Sequence, residues 1–388
     1  MGYLIGGAEE GPEKEIVASK RSPYAKLSDG ELKRLHEQTI KDITKYNNFQ
    51  MAKKIALYSA YGAVGNQYFR YYKLANAEAI TLSGQVSIRW IENRINTYLN
   101  KLLNTEEIDY GVASDTDSVY INFGPLVDKF FSSKSDDKAK VVTILDQICQ
   151  DKLEPFIEES YEELASYVNA YDQKMQMKRE NIADRGIWTA KKRYILNVWD
   201  SEGVRYEDPK LKIMGIEAVK SSTPAPCRTM IKDALKLMMS GTEEDVIDFI
   251  DKSRDKFRKL PPEEIAFPRT VNNVDKYKAH TTIYAKGTPI HARGALLFNY
   301  YIKEKKLDNK YSLINNGEKI KFCYLKKANP IRENVISFIS DFPRELGLDK
   351  YIDYELQFQK AFLEPVKVIL DAIGWNVEKT VNLELFFG

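Results

Sequence analysis

The feature that most restricts this chain is a switch of hydrophobic period near residue 104. Before it, apolar side chains recur at helical spacing. After it, two short β-type runs, 108–114 and 118–123, flank Asp115-Thr116-Asp117. A stripe spaced for a helix cannot present one face as a strand, nor the reverse. The chain must therefore join helices to an antiparallel hairpin with acids at its tip, an α+β arrangement. If the tip is extended, Asp115 and Asp117 point to one face. Carboxylates so placed repel unless a cation sits near them. Hard oxygen donors suit Mg2+, whose shell is completed by water and substrate phosphate. The competing reading is an ordinary acidic turn, since Asp is common there.

Elsewhere the elements read as follows. Residues 1–28 carry Gly, Pro, Glu and Lys without periodicity and form a flexible lead-in. A helix capped by Ser28 or Asp29 places Leu32, Leu35, Ile40 and Ile43 on one stripe. A second helical segment runs from about 49 to 64 and ends at Gly65-Asn66; a third spans about 75–103, with Ile88, Ile91, Ile95, Tyr98 and Leu102 in step. Residues 137–172 return to helix. Lys174–Lys178, Tyr194–Trp199 and Lys212–Ile216 alternate like strands. Thr223-Pro224 opens helices at about 226–240 and 243–259, 260–330 is mixed, and a last helix covers 351–373. The expected boundaries are an arm at 29–66, an α+β domain at 67–222, a mainly helical domain at 223–380 and a tail at 381–388.

Composition excludes more than it selects. Cys149, Cys227 and Cys323 lie far apart, which is neither a disulfide framework nor a zinc set. His36, His280 and His291 show no metal-ligand spacing. No apolar stretch reaches about 18 residues, so no membrane-spanning helix is expected. The N-terminus has no secretory pattern, and a reducing compartment such as the cytoplasm fits. With 58 Lys and Arg against 56 Asp and Glu, bulk charge points to no partner.

Local constellations say more. Lys54, Tyr58, Tyr61 and Gly62 share one face of a helix. A lysine offers a point charge for phosphate, an aromatic ring a flat surface for a base, and glycine a close approach to the backbone. A core stripe beside a surface lysine would have the same spacing. From Lys174 to Arg193, seven Lys and Arg stand against Glu180 and Asp184, a net charge that can track a phosphate backbone. At the chain end Leu385, Phe386 and Phe387 form an apolar tail that is costly to expose.

Four segments in order resemble motifs of family B DNA polymerases, most closely those of T-even-type bacteriophages, over roughly residues 30–388. Lys54-Ile55-Ala56-Leu57-Tyr58-Ser59-Ala60-Tyr61-Gly62-Ala63-Val64-Gly65-Asn66 resembles the fingers helix, and Asp115-Thr116-Asp117-Ser118 the acidic motif of the palm. Lys191-Lys192-Arg193-Tyr194 is similar to the motif at the primer–template end. Lys210–Glu217 with Lys220–Pro224 resembles the palm-to-thumb junction. The resemblance implies fingers at 29–66, a palm at 67–222 and a mainly helical thumb at 223–380. It implies template-directed addition of dNTPs to a primer 3′-hydroxyl with two Mg2+ ions. Asp117 would be the direct metal ligand and Asp115 its acidic neighbour. Lys54 would meet the triphosphate, with Tyr58, Tyr61 and Gly62 lining the nucleotide site. Lys191, Lys192, Arg193, Tyr194, Lys220 and Ser221 would meet primer–template DNA, and Leu385, Phe386 and Phe387 a sliding clamp.

Three departures stand out. Tyr58 occupies the place of the family's usual Asn, and Ser114 that of a common Gly. The upstream Asp-x-x-Ser-Leu-Tyr-Pro-type motif, which supplies the second metal-binding aspartate, is missing, and Met1 leaves no room for it. The resemblance implies an N-terminal part carrying that motif and the exonuclease, either as a partner polypeptide or as the rest of a longer chain of which this is a fragment. The alternative is a non-catalytic DNA- and clamp-binding polymerase remnant. A reverse transcriptase or nucleotidyl cyclase palm also uses acidic hairpins, but the Lys191–Tyr194 motif and the long thumb speak against it.

Overall fold

A computed structural model describes residues 24, 26–130, 138–279 and 281–377. The first elements in chain order are α1 (Asp29–Val64), α2 (Leu74–Leu103), β1 (Gly111–Asp115), β2 (Ser118–Ile121), α3 (Gly124–Phe130), α4 (Lys138–Ile148) and α5 (Glu154–Tyr167). Next come β3 (Asn181–Ala190), β4 (Arg193–Ser201), β5 (Val204–Met214), α6 (Ala225–Ser240), α7 (Glu243–Phe257), α8 (Pro262–Ile265) and β6 (Phe267–Thr270). The rest are α9 (Ile290–Glu304), β7 (Lys319–Tyr324), β8 (Val335–Phe338), α10 (Tyr354–Phe358) and α11 (Glu364–Ile373). The chain forms two compact units. One comprises Met1–Lys134 with Lys152–Met177, the other Ser135–Asp151 with Lys178–Gly388. The expected α+β class holds.

In the first unit, α1 is one continuous helix where two segments were expected, because nothing between Tyr46 and Phe49 breaks it. Its start is a capping box: Ser28 Oγ accepts from the Glu31 N–H, and the Ser28 N–H donates to Glu31 Oε2. The predicted stripe is present, but Leu32, Leu35, Ile40 and Ile43 are all exposed and α1 buries no residue. Helix α2 buries a row of five residues spaced by four, Ser87, Ile91, Ile95, Leu99 and Leu103. Its partner is the α5 face of Ile157, Ser160, Tyr161 and Leu164. That row ends on Leu103 and leaves Leu102 exposed, one residue from the expected end. The Trp90 indole N–H donates to the Ser160 carbonyl at 2.9 Å, and the Tyr98 and Phe156 rings lie 4.6 Å apart.

Two asparagines of α2 clamp the segment that leads into the hairpin. Asn96 Oδ1 accepts from the Tyr110 N–H at 2.8 Å, and Asn96 Nδ2 donates to Asp109. Asn100 Nδ2 donates to the Ile108 carbonyl at 2.8 Å, while its Oδ1 accepts from the Ile108 N–H and from the Thr105 hydroxyl. Tyr110, fully buried, meets Thr105 through its hydroxyl and accepts the Asn122 N–H on its carbonyl. The hairpin thus hangs from a helix that has its own packed face.

In the second unit, β3, β4 and β5 form an antiparallel sheet with β4 in the middle. Strand β3 was not foreseen; Asp184-Arg185-Gly186 breaks the alternation, and the ladder bulges there. The strand expected at Lys174–Lys178 does not form. The Gln173 side chain donates to the Met175 carbonyl instead, and such local bonds compete with ladder pairing. One edge is knotted by charge: Asp146 takes Arg179 at 2.7 Å and Arg205 at 2.9 Å, and fully buried Asp200 takes Arg205 at 2.6 Å and Arg179. Burial pushes the Asp146 carboxyl up, but the Arg179 and Arg205 guanidiniums outweigh it and hold it below the carboxylate range.

Beyond the sheet lies the main core, built from α6, α7, α9, α11 and the sheet β6-β7-β8. Fully buried Gln357 ties α8 to β7, donating to the Ile265 carbonyl and accepting the Tyr324 N–H. The expected helix at 351–373 resolves into α10, a π-helical turn over Gln359–Leu363, and α11; likewise Cys149–Leu153 is a π-helical turn ahead of α5. Each wide turn precedes a proline, Pro365 and Pro155. A proline lacks an N–H and its ring clashes with the carbonyl four residues back, so the wider turn relieves both.

Replacing Asn100 with Ala removes three bonds that hold 105–108 to α2. Amides of 108–121 should lose protection from hydrogen exchange by about ten- to a hundredfold, a loss on the order of 1–3 kcal/mol, while those of 193–214 stay unchanged. Equal protection in both proteins would show that the clamp is idle.

Candidate functional site

The β1–β2 ladder closes with Asp115 opposite Ser118, leaving Thr116-Asp117 as a two-residue turn. The Asp117 N–H donates to the Asp115 carbonyl at 2.6 Å, around a Thr116 with φ of 59°. A β-branched residue there costs on the order of 1–3 kcal/mol, and such strain gathers at functional sites. The Thr116 hydroxyl donates to Asp115 Oδ1 at 3.0 Å. The tip is therefore a tight turn and not the extended segment expected. Asp115 ends a strand and is half-buried, whereas Asp117 is exposed in the turn, so the tight turn and not strand alternation sets their placement. Among the described residues no three His, Cys, Asp or Glu side chains gather where a metal ion could sit. The acids at the tip number two, a set that suits Mg2+ with its remaining positions filled by water and phosphate.

On α1, Lys54 is half-buried and Tyr58 and Tyr61 are exposed. A Cβ added at Gly62 would meet nothing within 4 Å, so packing within the chain does not require the glycine.

In the second unit, Lys191-Lys192 is the two-residue turn between β3 and β4, with Lys192 at φ 60°. Both lysines are exposed, as is Ser221. Tyr194 points inward and is only 7% exposed, beside the Trp188 ring. Arg193 bonds Glu217 with both arms, at 3.1 and 2.8 Å, and Lys220 bonds the same carboxylate at 2.8 Å. Burial pushes the Glu217 carboxyl up; its bonds from Arg193 and Lys220 reverse this and bring it down to about 2. Little in the sequence marks Glu217 as a partner. Its place three residues before Lys220 was the only local signal, and its bond to Arg193 spans 24 positions. The tail residues Leu385, Phe386 and Phe387 lie outside the described residues.

No family model matches the chain. The chain is nevertheless similar in sequence to phage DNA-directed DNA polymerases. It is 34% identical over 369 residues to the DNA-directed DNA polymerase of Enterobacteria phage T4, covering 92% of this chain and 40% of the relative. To that of Escherichia phage RB69 it is 36% identical over 347 residues, 86% of this chain and 38% of the relative. The chain thus spans about two-fifths of the length of these curated relatives, which are nucleotidyltransferases.

Because Glu217 titrates lower when folded, its contribution to stability is present above about pH 4.5 and is lost as pH falls through about 2. Glu217→Gln should be less stable than the parent at pH 7, with a smaller decline between those limits. Urea midpoints at pH 7, 4 and 3 test this; parallel declines would contradict it.

Proposed function

We propose that the chain is the C-terminal catalytic part of a DNA-directed DNA polymerase, with arm, α+β and helical regions serving as fingers (29–66), palm (67–222) and thumb (223–380). The observation that carries this is homology over 92% of the chain to such an enzyme, with the acidic hairpin intact. Asp117, with Asp115 beside it, would hold the Mg2+ ions, which supply charge neutralisation at the attacking and leaving oxygens. Lys54 places a positive charge for the triphosphate of a dNTP, with Tyr61 and Gly62 beside the nascent base pair. Open space at Gly62 supports an approach from outside the chain. Lys191 and Lys192 present their charges to the primer–template backbone, and Lys220 and Ser221 stand at the adjoining junction. Arg193 and Tyr194 face Glu217 and the interior, so they serve this surface from within. Leu385, Phe386 and Phe387 would anchor a sliding clamp. A host-cell cytoplasmic setting suits this work, and no described helix is long and apolar enough to cross a membrane.

An N-terminal partner chain would supply the second metal-binding Asp and the exonuclease. Two features support it: the tip offers two acids, and the 36-residue α1 exposes its apolar stripe along its whole length. Tyr58, in place of the usual Asn, favours the second reading, a non-catalytic remnant that binds DNA and clamp.

Primer extension with dNTPs and Mg2+ should appear only when the chain is combined with that N-terminal part. Asp117→Asn should then remove nearly all turnover and leave DNA binding intact. Robust extension by the chain alone would sink the divided site, and no extension by the pair would leave the remnant. In the reconstituted enzyme Lys54→Ala should raise the dNTP concentration needed, by about tenfold or more for a lost charge-assisted bond, at unchanged primer–template affinity. Titrating both substrates separates the effects; equal loss of both would mean a folding defect.

A further inference from the structure

A carboxylate in the middle of a surface meant for phosphates is out of place on charge alone, because it repels the ligand. Glu217 is such a group, if Lys191, Lys192 and Lys220 meet DNA as proposed above. We infer that Glu217 is a positioning residue for primer–template DNA: it fixes the Lys191-Lys192 turn and Lys220 in the arrangement that a duplex backbone requires.

Three observations lead there. First, the Glu217 backbone is anchored from below. It opens a short 3-10 turn over Glu217–Val219, and its neighbours Ile216 and Ala218 are 0% and 1% exposed. The carboxylate therefore has a fixed origin whether or not DNA is bound. Second, that carboxylate gathers two cations from different parts of the chain, Arg193 at the foot of the turn and Lys220 at the junction. Arg193 spends both arms on Glu217, so its fork is not presented to phosphate; it works as a strut between the turn and the 217–220 segment. Third, the turn is held at a second point. Gly215 has φ of 67°, and a Cβ there would fall 2.1 Å from the Lys192 carbonyl oxygen. The 215–217 segment thus supports the turn by close backbone approach on one residue and by an ion pair two residues later.

The charge balance agrees. Lys191, Lys192, Arg193 and Lys220 against Glu217 leave three net positive charges, with the two turn lysines exposed. Removing the carboxylate raises that excess, so a purely electrostatic role predicts tighter DNA binding. A positioning role predicts weaker binding, because lysines that no longer share one geometry lose contacts that release counterions.

The test uses the full chain and a labelled primer–template duplex, with affinity measured by anisotropy from 50 to 200 mM salt. Glu217→Gln removes the charge; Glu217→Asp keeps it but withdraws it by one methylene. Both should bind about tenfold more weakly, with a salt slope shallower by about 1. Lys191→Ala with Lys192→Ala serves as the control for the surface itself. If that control binds normally, the DNA reading of this surface fails, and this inference with it. If the control weakens binding while Glu217→Asp binds like the parent, or Glu217→Gln binds more tightly, the carboxylate acts by charge alone and the inference is overturned. Weaker binding with an unchanged salt slope marks a general folding role and overturns it as well. Should Glu217→Gln fail to fold, as judged by its thermal transition, Glu217→Asp decides alone.

Discussion

An antiparallel ladder that closes over two residues forces the backbone into a conformation that side chains resist. In both hairpins that carry the candidate chemistry, the residue taking it is not glycine: Thr116 at the acidic tip and Lys192 at the basic one. The constraint does the placing. It pushes Asp117 out beside Asp115 in one turn and exposes Lys191 and Lys192 in the other. A turn of this kind persists only if its surroundings hold it, and much of the nearby architecture does so. Asn96 and Asn100 tie the approach to the first hairpin onto α2, while Gly215 and Glu217 brace the second.

Two of the charge clusters in the second unit lie at different depths. In the Arg179, Arg205, Asp146 and Asp200 quartet, Asp200 is fully buried and Arg179 nearly so, while Arg205 reaches the surface. There, breaking one partner would strand a buried charge, so the group specifies how the Ser135–Asp151 segment meets the sheet. The Arg193, Glu217 and Lys220 cluster is half-exposed, and its net positive charge leaves something to offer a polyanion. The same residue types thus serve a lock in one place and a prepared surface in the other. In helix α1 a capping box fixes the start, while the apolar stripe stays exposed.

Much of this was legible in the residues because it is encoded within one or two turns of chain. Ser28 with Glu31, Gly65 after Val64, Thr242 before α7 and Pro224 before α6 mark helix ends by local chemistry. The hairpin around Asp115-Thr116-Asp117 announces itself by a change of period. The sequence also determined which charged and aromatic residues stand together on α1 and in the two turns, since spacing along an element settles that. Tertiary structure decided which faces are covered and which charges are already taken. The stripe of α1 and the row of α2 look alike as patterns, yet only α2 finds a partner in α5. Arg193 looks like its neighbours Lys191 and Lys192, yet it gives both arms to Glu217, a residue 24 positions away. Strand β3 is bulged, so its pairing with β4 and not its own alternation makes it a strand. The physical reason is common to all three. Burial and ion pairing belong to contacts between residues far apart in the chain, and no local periodicity records which of them form.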